Sequence, residues 1–186
     1  LLGKGELNAV TVKRINKQFN DEEYDLVVTD SSIRIQGGSD KAIFYGMKTL
    51  EQLAVNGVSI PAVNIHDKPA FPYRGFMTDV GRNYQPMSML KEMIDVMAAY
   101  KLNVFHFHLT EDIAWRLEVP GFSQLTQAGS MTRNKGAYYS VSEIKELQAY
   151  CKERHIQFLP EIDMPGHSAA FERAMGFPMQ SAKGID

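Results

Sequence analysis

Three short polar clusters in this sequence combine residue types that can bind and activate a substrate. Asp79-Val80-Gly81-Arg82-Asn83-Tyr84 carries an acid and a guanidinium. His106-Phe107-His108-Leu109-Thr110-Glu111-Asp112 carries two imidazoles and two adjacent carboxylates, and Glu161-Ile162-Asp163-Met164-Pro165-Gly166-His167 adds two acids and a third imidazole. The Arg82 guanidinium offers fixed donors suited to a pair of neighbouring sugar hydroxyls or to a carboxylate; the plainer alternative is a salt bridge to Asp79. His106 and His108 have metal-ligand spacing on a strand, and equally fit hydrogen-bonded interior histidines. Glu111-Asp112 is either an acidic pair at a pocket or solvated loop charge. His167 follows the tight turn Pro165-Gly166, which holds it in place, and an imidazole there can relay a proton or orient a carboxyl group.

Each cluster closes a run of strand-forming residues: Gly75–Val80, Asn103–Leu109 and Gln157–Ile162. Between them the period changes to that of a helix. Ser88 is placed to cap a helix running to Tyr100, with Leu90, Met93, Ile94 and Met97 on its buried face. Ser140 and Glu143 have capping-box spacing for a helix ending near His155, with Val141, Ile144, Leu147 and Cys151 inward. Alternating β and α elements predict a parallel sheet with helices outside. In such folds functional residues gather beyond the carboxyl ends of the strands, so the three clusters predict one pocket. Strand alternation puts Val104, His106 and His108 on one face and Phe105, Phe107 and Leu109 on the other. The Phe face is expected against helices and the His face toward a barrel interior. A complete eight-fold barrel takes about 250 residues, and the α/β part from Ala70 to Asp186 is less than half of that. The expected class is therefore α/β, a partial (β/α)8 TIM barrel of about three strands, unless an open doubly wound sheet closes sooner.

The stretch before Ala70 has another character. Ala9–Lys13, Asp25–Thr29 and Ser32–Gln36 read as short strands, the last two joined as a hairpin by Thr29-Asp30-Ser31-Ser32. Ser39 is a fitting N-cap for a helix over Asp40–Val55, with Ile43, Met47, Leu50 and Ala54 on one face and Asn56-Gly57 as its stop. A further extended piece, Ile60–Ile65, leads into the linker His66–Pro72, whose two prolines suit neither a helix nor a central strand. The expected domains are a small α+β domain over 1–68 and the N-terminal part of a barrel over 69–186.

The chain has 186 residues, of which 44% are hydrophobic and 23% charged, ordinary values for a folded protein. A formal charge of −2 with interspersed signs argues against a nucleic-acid partner and against a polybasic membrane binder. The longest uncharged stretches, Gln52–Ile65 and Val119–Thr132, contain Pro or Gly and fall short of the roughly 20 apolar residues of a membrane span. The single cysteine, Cys151, excludes an intrachain disulfide and a Cys-clustered zinc site. The start, Leu-Leu-Gly-Lys, has neither Met nor a signal-peptide pattern and reads as trimmed, so it does not reveal the compartment.

Taken together, the segments Phe71–Arg82, Lys101–Asp112 with Trp115-Arg116, and Pro160–His167 resemble glycoside hydrolase family 20, the β-N-acetylhexosaminidases. The first 68 or so residues are similar to the small domain that precedes the barrel in that family. The resemblance implies removal of a terminal non-reducing N-acetylhexosamine with retention, the substrate's own acetamido oxygen acting as nucleophile, with no cofactor and no metal. It implies that Arg82 holds sugar hydroxyls and that Glu111 and His167 support the catalytic acid. Asp79, His108, Asp112 and Trp115, inside the same motifs, then belong to the substrate-binding set. The sequence departs from the family at Glu111, where many members carry Asp, at Phe107, often Trp, and at Ile113-Ala114, commonly Gln-Gly. The family's principal catalytic Asp-Glu pair lies after the fourth barrel strand. This chain ends before it, so the chain alone is expected to be inactive. Two rival readings are a metal-dependent hydrolase using His106 and His108, and a non-enzymatic carbohydrate-binding fragment. The expected partner is an N-acetylhexosaminide glycan, and an unclosed barrel gives a motive for self-association. The family resemblance alone suggests a bacterial periplasmic or secreted protein.

Overall fold

A computed structural model describes residues 9–14, 19–54, 57 and 59–179. The chain divides into two compact units, one of residues 1–74 with Ala98–Lys101, the other of Gly75–Met97 with residues 102–186.

The first unit is a four-stranded sheet carrying one helix. Its strands are β1 (Ala9–Arg14), β2 (Tyr24–Val28), β3 (Ser32–Gly37) and β4 (Val63–Asp67), in the order β1-β3-β2-β4. β1 runs parallel to β3, and the other pairs are antiparallel. The expected hairpin is present, closed by a Thr29 N–H donating to the Ser32 carbonyl at 2.9 Å. Ser39 caps α1 (Asp40–Leu53), its hydroxyl accepting from the Ala42 N–H at 3.1 Å. Leu26, Val28, Ile33 and Ile35 form the core with Ala42 and Tyr45.

Two expectations need correction here. On α1, Ile43 and Leu50 pack against this core as expected, but the fully buried residues are Ala42, Tyr45 and Gly46, and Met47 is 46% exposed. The reason is close approach: a Cβ on Gly46 would stand 2.6 Å from Ile35 Cγ2, so the helix comes nearest the sheet at Gly46 and Met47 is turned outward. The helix ends at Leu53 with Ala54 as its cap, and the expected Val55 and Asn56 lie outside the described residues. His66 and Asp67 are strand, not linker, because β4 stays in register with β2 as far as the pair Tyr24–Asp67. That pair is locked by polar contacts: the Tyr24 hydroxyl donates to Asp67 at 2.7 Å, and Lys101 donates to both, at 2.7 and 2.8 Å.

The second unit contains β5 (Gly75–Asp79), α2 (Met87–Ala99), β6 (Val104–His108), α3 (Val141–Glu153), β7 (Gln157–Glu161) and α4 (Ala169–Met175). The three strands form a parallel sheet in sequence order, in the register Asp79–His108–Glu161 at their carboxyl ends. This is the β/α alternation of a partial TIM barrel. Phe105 and Phe107 are fully buried on the outer face, in ring contact with Phe158 and, for Phe107, with Tyr139. α2 starts two residues early, at Met87, so Ser88 lies inside it rather than capping it. Leu90, Ile94 and Met97 are buried as expected, and Met93 is half-buried. α3 has the expected capping box, and Leu147 and Cys151 face the core. Burial pushes the Cys151 thiol up to about 12, which makes it an inert core residue. The short helix α4 had no clear signal in the sequence. Among the described residues, no helix is long and apolar enough to cross a membrane.

Candidate active site

The three carboxyl ends do converge. Asp79 closes β5, His108 closes β6 and Glu161 closes β7, and the parallel register sets them side by side on one face. The loop after β5 turns sharply under the Asp79 carboxylate. Its Oδ1 accepts the Arg82 N–H at 2.9 Å and its Oδ2 accepts Arg82 Nη1 at 2.5 Å. The other end of the guanidinium, Nη2, pairs with Glu111 Oε1. Arg82 is therefore both in the cluster and in the salt bridge that its spacing allowed. The two carboxylates outweigh the opposing effect of desolvation and raise its pKa further.

Glu111 is the centre of the arrangement. Only 3% exposed, it accepts the Asp112 N–H through Oε2 at 2.6 Å and faces His167 Nδ1 through Oε1 at 2.6 Å. The longer arm of Glu thus reaches His167. Gly81 makes room for it: a Cβ there would stand 2.7 Å from Glu111 Cβ and 3.2 Å from Asp79 Oδ1. His167 itself has a φ of 51°, in the left-handed region, directly after the Pro165-Gly166 turn. Strained backbone of this kind is common where a side chain must be aimed.

Asp112 is brought near Glu111 and His167. Its carboxylate is engaged by the Ala169 N–H at 3.1 Å, so it also stabilises the start of α4. His108 is 6% exposed, with Nδ1 at 3.1 Å from Glu161 Oε2. His106 Nε2 reaches the same Glu161 oxygen. Burial opposes ionisation of Glu161, but contacts with His108, Asp163 and His106 outweigh it and hold its pKa below the ordinary carboxylate value.

Trp115 is not brought to the cluster. It is buried with Leu125 and Ala170, its ring meets Phe171, and its indole N–H is taken by the Leu117 carbonyl at 2.7 Å. The strand-like turn that pairs Thr110 with Trp115 aims the indole into this core.

Sequence reasoning passed over two supporting arginines. Arg116, fully buried, donates to the carbonyls of Val80 (3.0 Å), Asn134 (2.9 Å), Ala137 (2.8 Å) and Arg133 (2.8 Å), and more weakly to Gly81 at 3.4 Å. Arg133 in turn donates to Asn83 Oδ1 at 3.0 Å. Together they tie the loop carrying Arg82 to the loop before α3. Trp115-Arg116 stands within one of the family-like motifs, but carbonyl partners leave no trace in residue types.

Comparison with known proteins gives the family. Residues 71–183 match the glycosyl hydrolase family 20 catalytic domain, and residues 3–68 match domain 2 of the same family. The chain belongs to glycosyl hydrolase family 20. A beta-hexosaminidase of Porphyromonas gingivalis is 39% identical over 182 residues, covering 87% of this chain and 23% of the relative. An Akkermansia muciniphila beta-hexosaminidase is 40% identical, covering 82% of this chain and 33% of the relative. Among solved family 20 structures, a beta-N-acetylhexosaminidase superposes with a TM-score of 0.83 at 36% identity, over 93% of this chain and 40% of that one. The Vibrio harveyi exo-beta-N-acetylglucosaminidase, solved with N-acetylglucosamine, gives a TM-score of 0.81 at 30% identity, over 90% of this chain and 29% of its own. The chain thus spans from 19% to 33% of the length of the curated relatives it matches.

Proposed function

We propose that this chain forms the first part of a β-N-acetylhexosaminidase, with residues 1–68 as the small preceding domain and 69–186 as the start of the catalytic barrel. In a longer protein containing it, the reaction is removal of a terminal non-reducing N-acetylhexosamine, with the substrate's acetamido oxygen as nucleophile. The observation that carries this reading is the buried Glu111 carboxylate, held between Arg82 and His167 at the ends of parallel strands. Arg82, anchored by Asp79, holds sugar hydroxyls with its remaining donors. Glu111 orients His167, which supports the catalytic acid. Asp112 and His108 line the same region, and Trp115 stands behind it as core. The names of the relatives favour this reading over a metal-dependent hydrolase.

The 186 residues do not include the Asp-Glu pair that the family resemblance places after a fourth strand. General acid catalysis alone is typically worth about 10²–10⁴ in rate. The chain alone is therefore inactive, while a longer protein containing it releases the aryl group from an aryl N-acetyl-β-glucosaminide. Equal turnover of the plain aryl glucoside by that longer protein would refute the acetamido mechanism. Turnover by the chain alone, abolished by Glu111→Gln or Asp112→Asn, would show that this acidic pair does the chemistry itself. Self-association of the chain belongs to the same reading and is supported by the exposed Phe76, Met77, Leu159 and Ile162 on and beside the three-stranded sheet.

A further inference from the structure

Beside Arg82, Glu111 and His167 lies a second group of residues, the His-x-His pair of β6 and the Glu-x-Asp pair at the end of β7. Register makes His108 and Glu161 lateral neighbours on one sheet face. His106 lies two residues back on β6, and Asp163 lies two residues beyond Glu161. Ligand atoms of His108, Glu161 and Asp163 all lie within 4.8 Å of one another.

The charges here are unbalanced. Glu161 and Asp163 bring carboxylate oxygens within 4.8 Å of each other. Among the described residues neither is paired with a Lys or Arg, for Arg82 is committed to Asp79 and Glu111. Like charges this close repel, and a cation between them relieves the repulsion. Among the described residues, the cationic candidates at Glu161 are His106 and His108.

A second, independent observation concerns the far side of His108. Its Nε2 is buried without a hydrogen-bond partner. Asp79 and Glu111 both have carboxylate oxygens within 4.8 Å of a His108 ring nitrogen. If Nδ1 carries the proton for Glu161, the buried Nε2 is an acceptor that no donor meets. If Nδ1 instead binds a cation, Nε2 carries the proton and has acidic neighbours to receive it. Metal-bound histidines are commonly oriented by a carboxylate behind the ring in this way.

The geometry points to a site for a divalent first-row transition metal of the zinc class, with His108, Glu161 and Asp163 as ligands, His106 bracing Glu161, and Asp79 and Glu111 behind His108. Zinc bonds to imidazole nitrogen and carboxylate oxygen are about 2.0–2.2 Å long. In a tetrahedral site two such bonds hold their ligand atoms about 3.4 Å apart, so closing the triad from separations within 4.8 Å takes shifts of at most about 1.5 Å. One imidazole with two carboxylates favours such an ion over the all-oxygen surroundings that Mg²⁺ and Ca²⁺ prefer. Glu161 is about a third exposed, which leaves an entry path and room for bound water. The inference rests on these residues alone and holds whether or not the glycosidase reading does.

The test uses the untagged 186-residue chain, stripped with a chelator. Zn²⁺ is titrated by calorimetry, and Co²⁺ by its visible ligand-field absorption. The expected result is saturable binding of one ion per chain, lost in Glu161→Gln and in Asp163→Asn. Asp79→Asn should weaken it by about 10–100-fold, the usual effect of removing an outer partner of a metal-bound histidine. Asp163 is at the rim of the sheet, so its variant keeps the test decisive if Glu161→Gln fails to fold, as judged by circular dichroism. Absence of saturable Zn²⁺ binding overturns the inference. So does stoichiometric binding that survives both carboxylate variants, or binding of Mg²⁺ or Ca²⁺ in preference to Zn²⁺.

Discussion

Replacing Arg116 by Met should destabilise the second unit by about 2–4 kcal/mol, and the structure gives the working. Five backbone carbonyls lose a donor. Those of Arg133 and Asn134 lie on exposed residues and can turn to water, and that of Ala137 is half-exposed, so these three cost little. Val80 and Gly81 are buried, and their carbonyls are stranded. A buried acceptor left unpaired costs about 1–3 kcal/mol, giving about 2–6 kcal/mol for two. Two considerations pull toward the lower half. The Gly81 bond is long, at 3.4 Å. The guanidinium itself is held without any carboxylate partner among the described residues, and burial lowers its pKa, so its removal relieves some desolvation. At about 2–4 °C per kcal/mol for a chain of this size, Tm should fall by roughly 5–15 °C. Urea unfolding followed by fluorescence is the assay, because the single tryptophan, Trp115, lies in this unit and beside the perturbed residue. Arg116→Lys should recover only part of the loss, since one ammonium cannot span carbonyls from both loops. A loss below about 1 kcal/mol for Arg116→Met would refute the claim that these carbonyls depend on the guanidinium.

Gly81→Ala should cost about 1–3 kcal/mol by overpacking, since its Cβ would stand 2.7 Å from that of Glu111; an unchanged urea midpoint would show that the loop yields freely. In the first unit, Lys101 and Tyr24 outweigh the desolvation of Asp67 and hold its pKa below the ordinary value. Its contribution is therefore fully present above the unfolded carboxylate pKa of about 3.9 and is lost as pH falls through the lower folded value. Asp67→Asn should flatten that part of the acid limb in a pH series of Tm, and an unchanged limb would count against the pairing. In a longer, active protein, Arg82→Ala should lower kcat/KM through loss of charged donors to sugar hydroxyls; an unchanged value removes Arg82 from the site. Sedimentation of the chain should show a concentration-dependent shift to dimers or higher species, and a monomer at all concentrations would reject self-association.

Runs of strand-forming residues and the helical period between them were enough to place β5, β6, β7, α2 and α3, because propensity and period are properties of the local chain. The His and Phe faces of β6 followed from alternation for the same reason, and the capping box of α3 is a contact three residues apart. The face of α1 followed only in part: Ile43 and Leu50 meet the core and Met47 does not. Its apolar residues allow more than one stripe, and the choice fell to Gly46, whose value lies in what it leaves vacant against Ile35. The site divides along the same line. Arg82, Glu111 and His167 were legible because their residue types carry chemistry and they stand just past strand ends. That Glu111 lies between the other two, and that Trp115 turns away into its own core, depends on loops whose course is set by long-range contacts. Arg116 shows why most clearly: its partners are backbone carbonyls, which every residue possesses, so only the folded chain could say which of them it gathers.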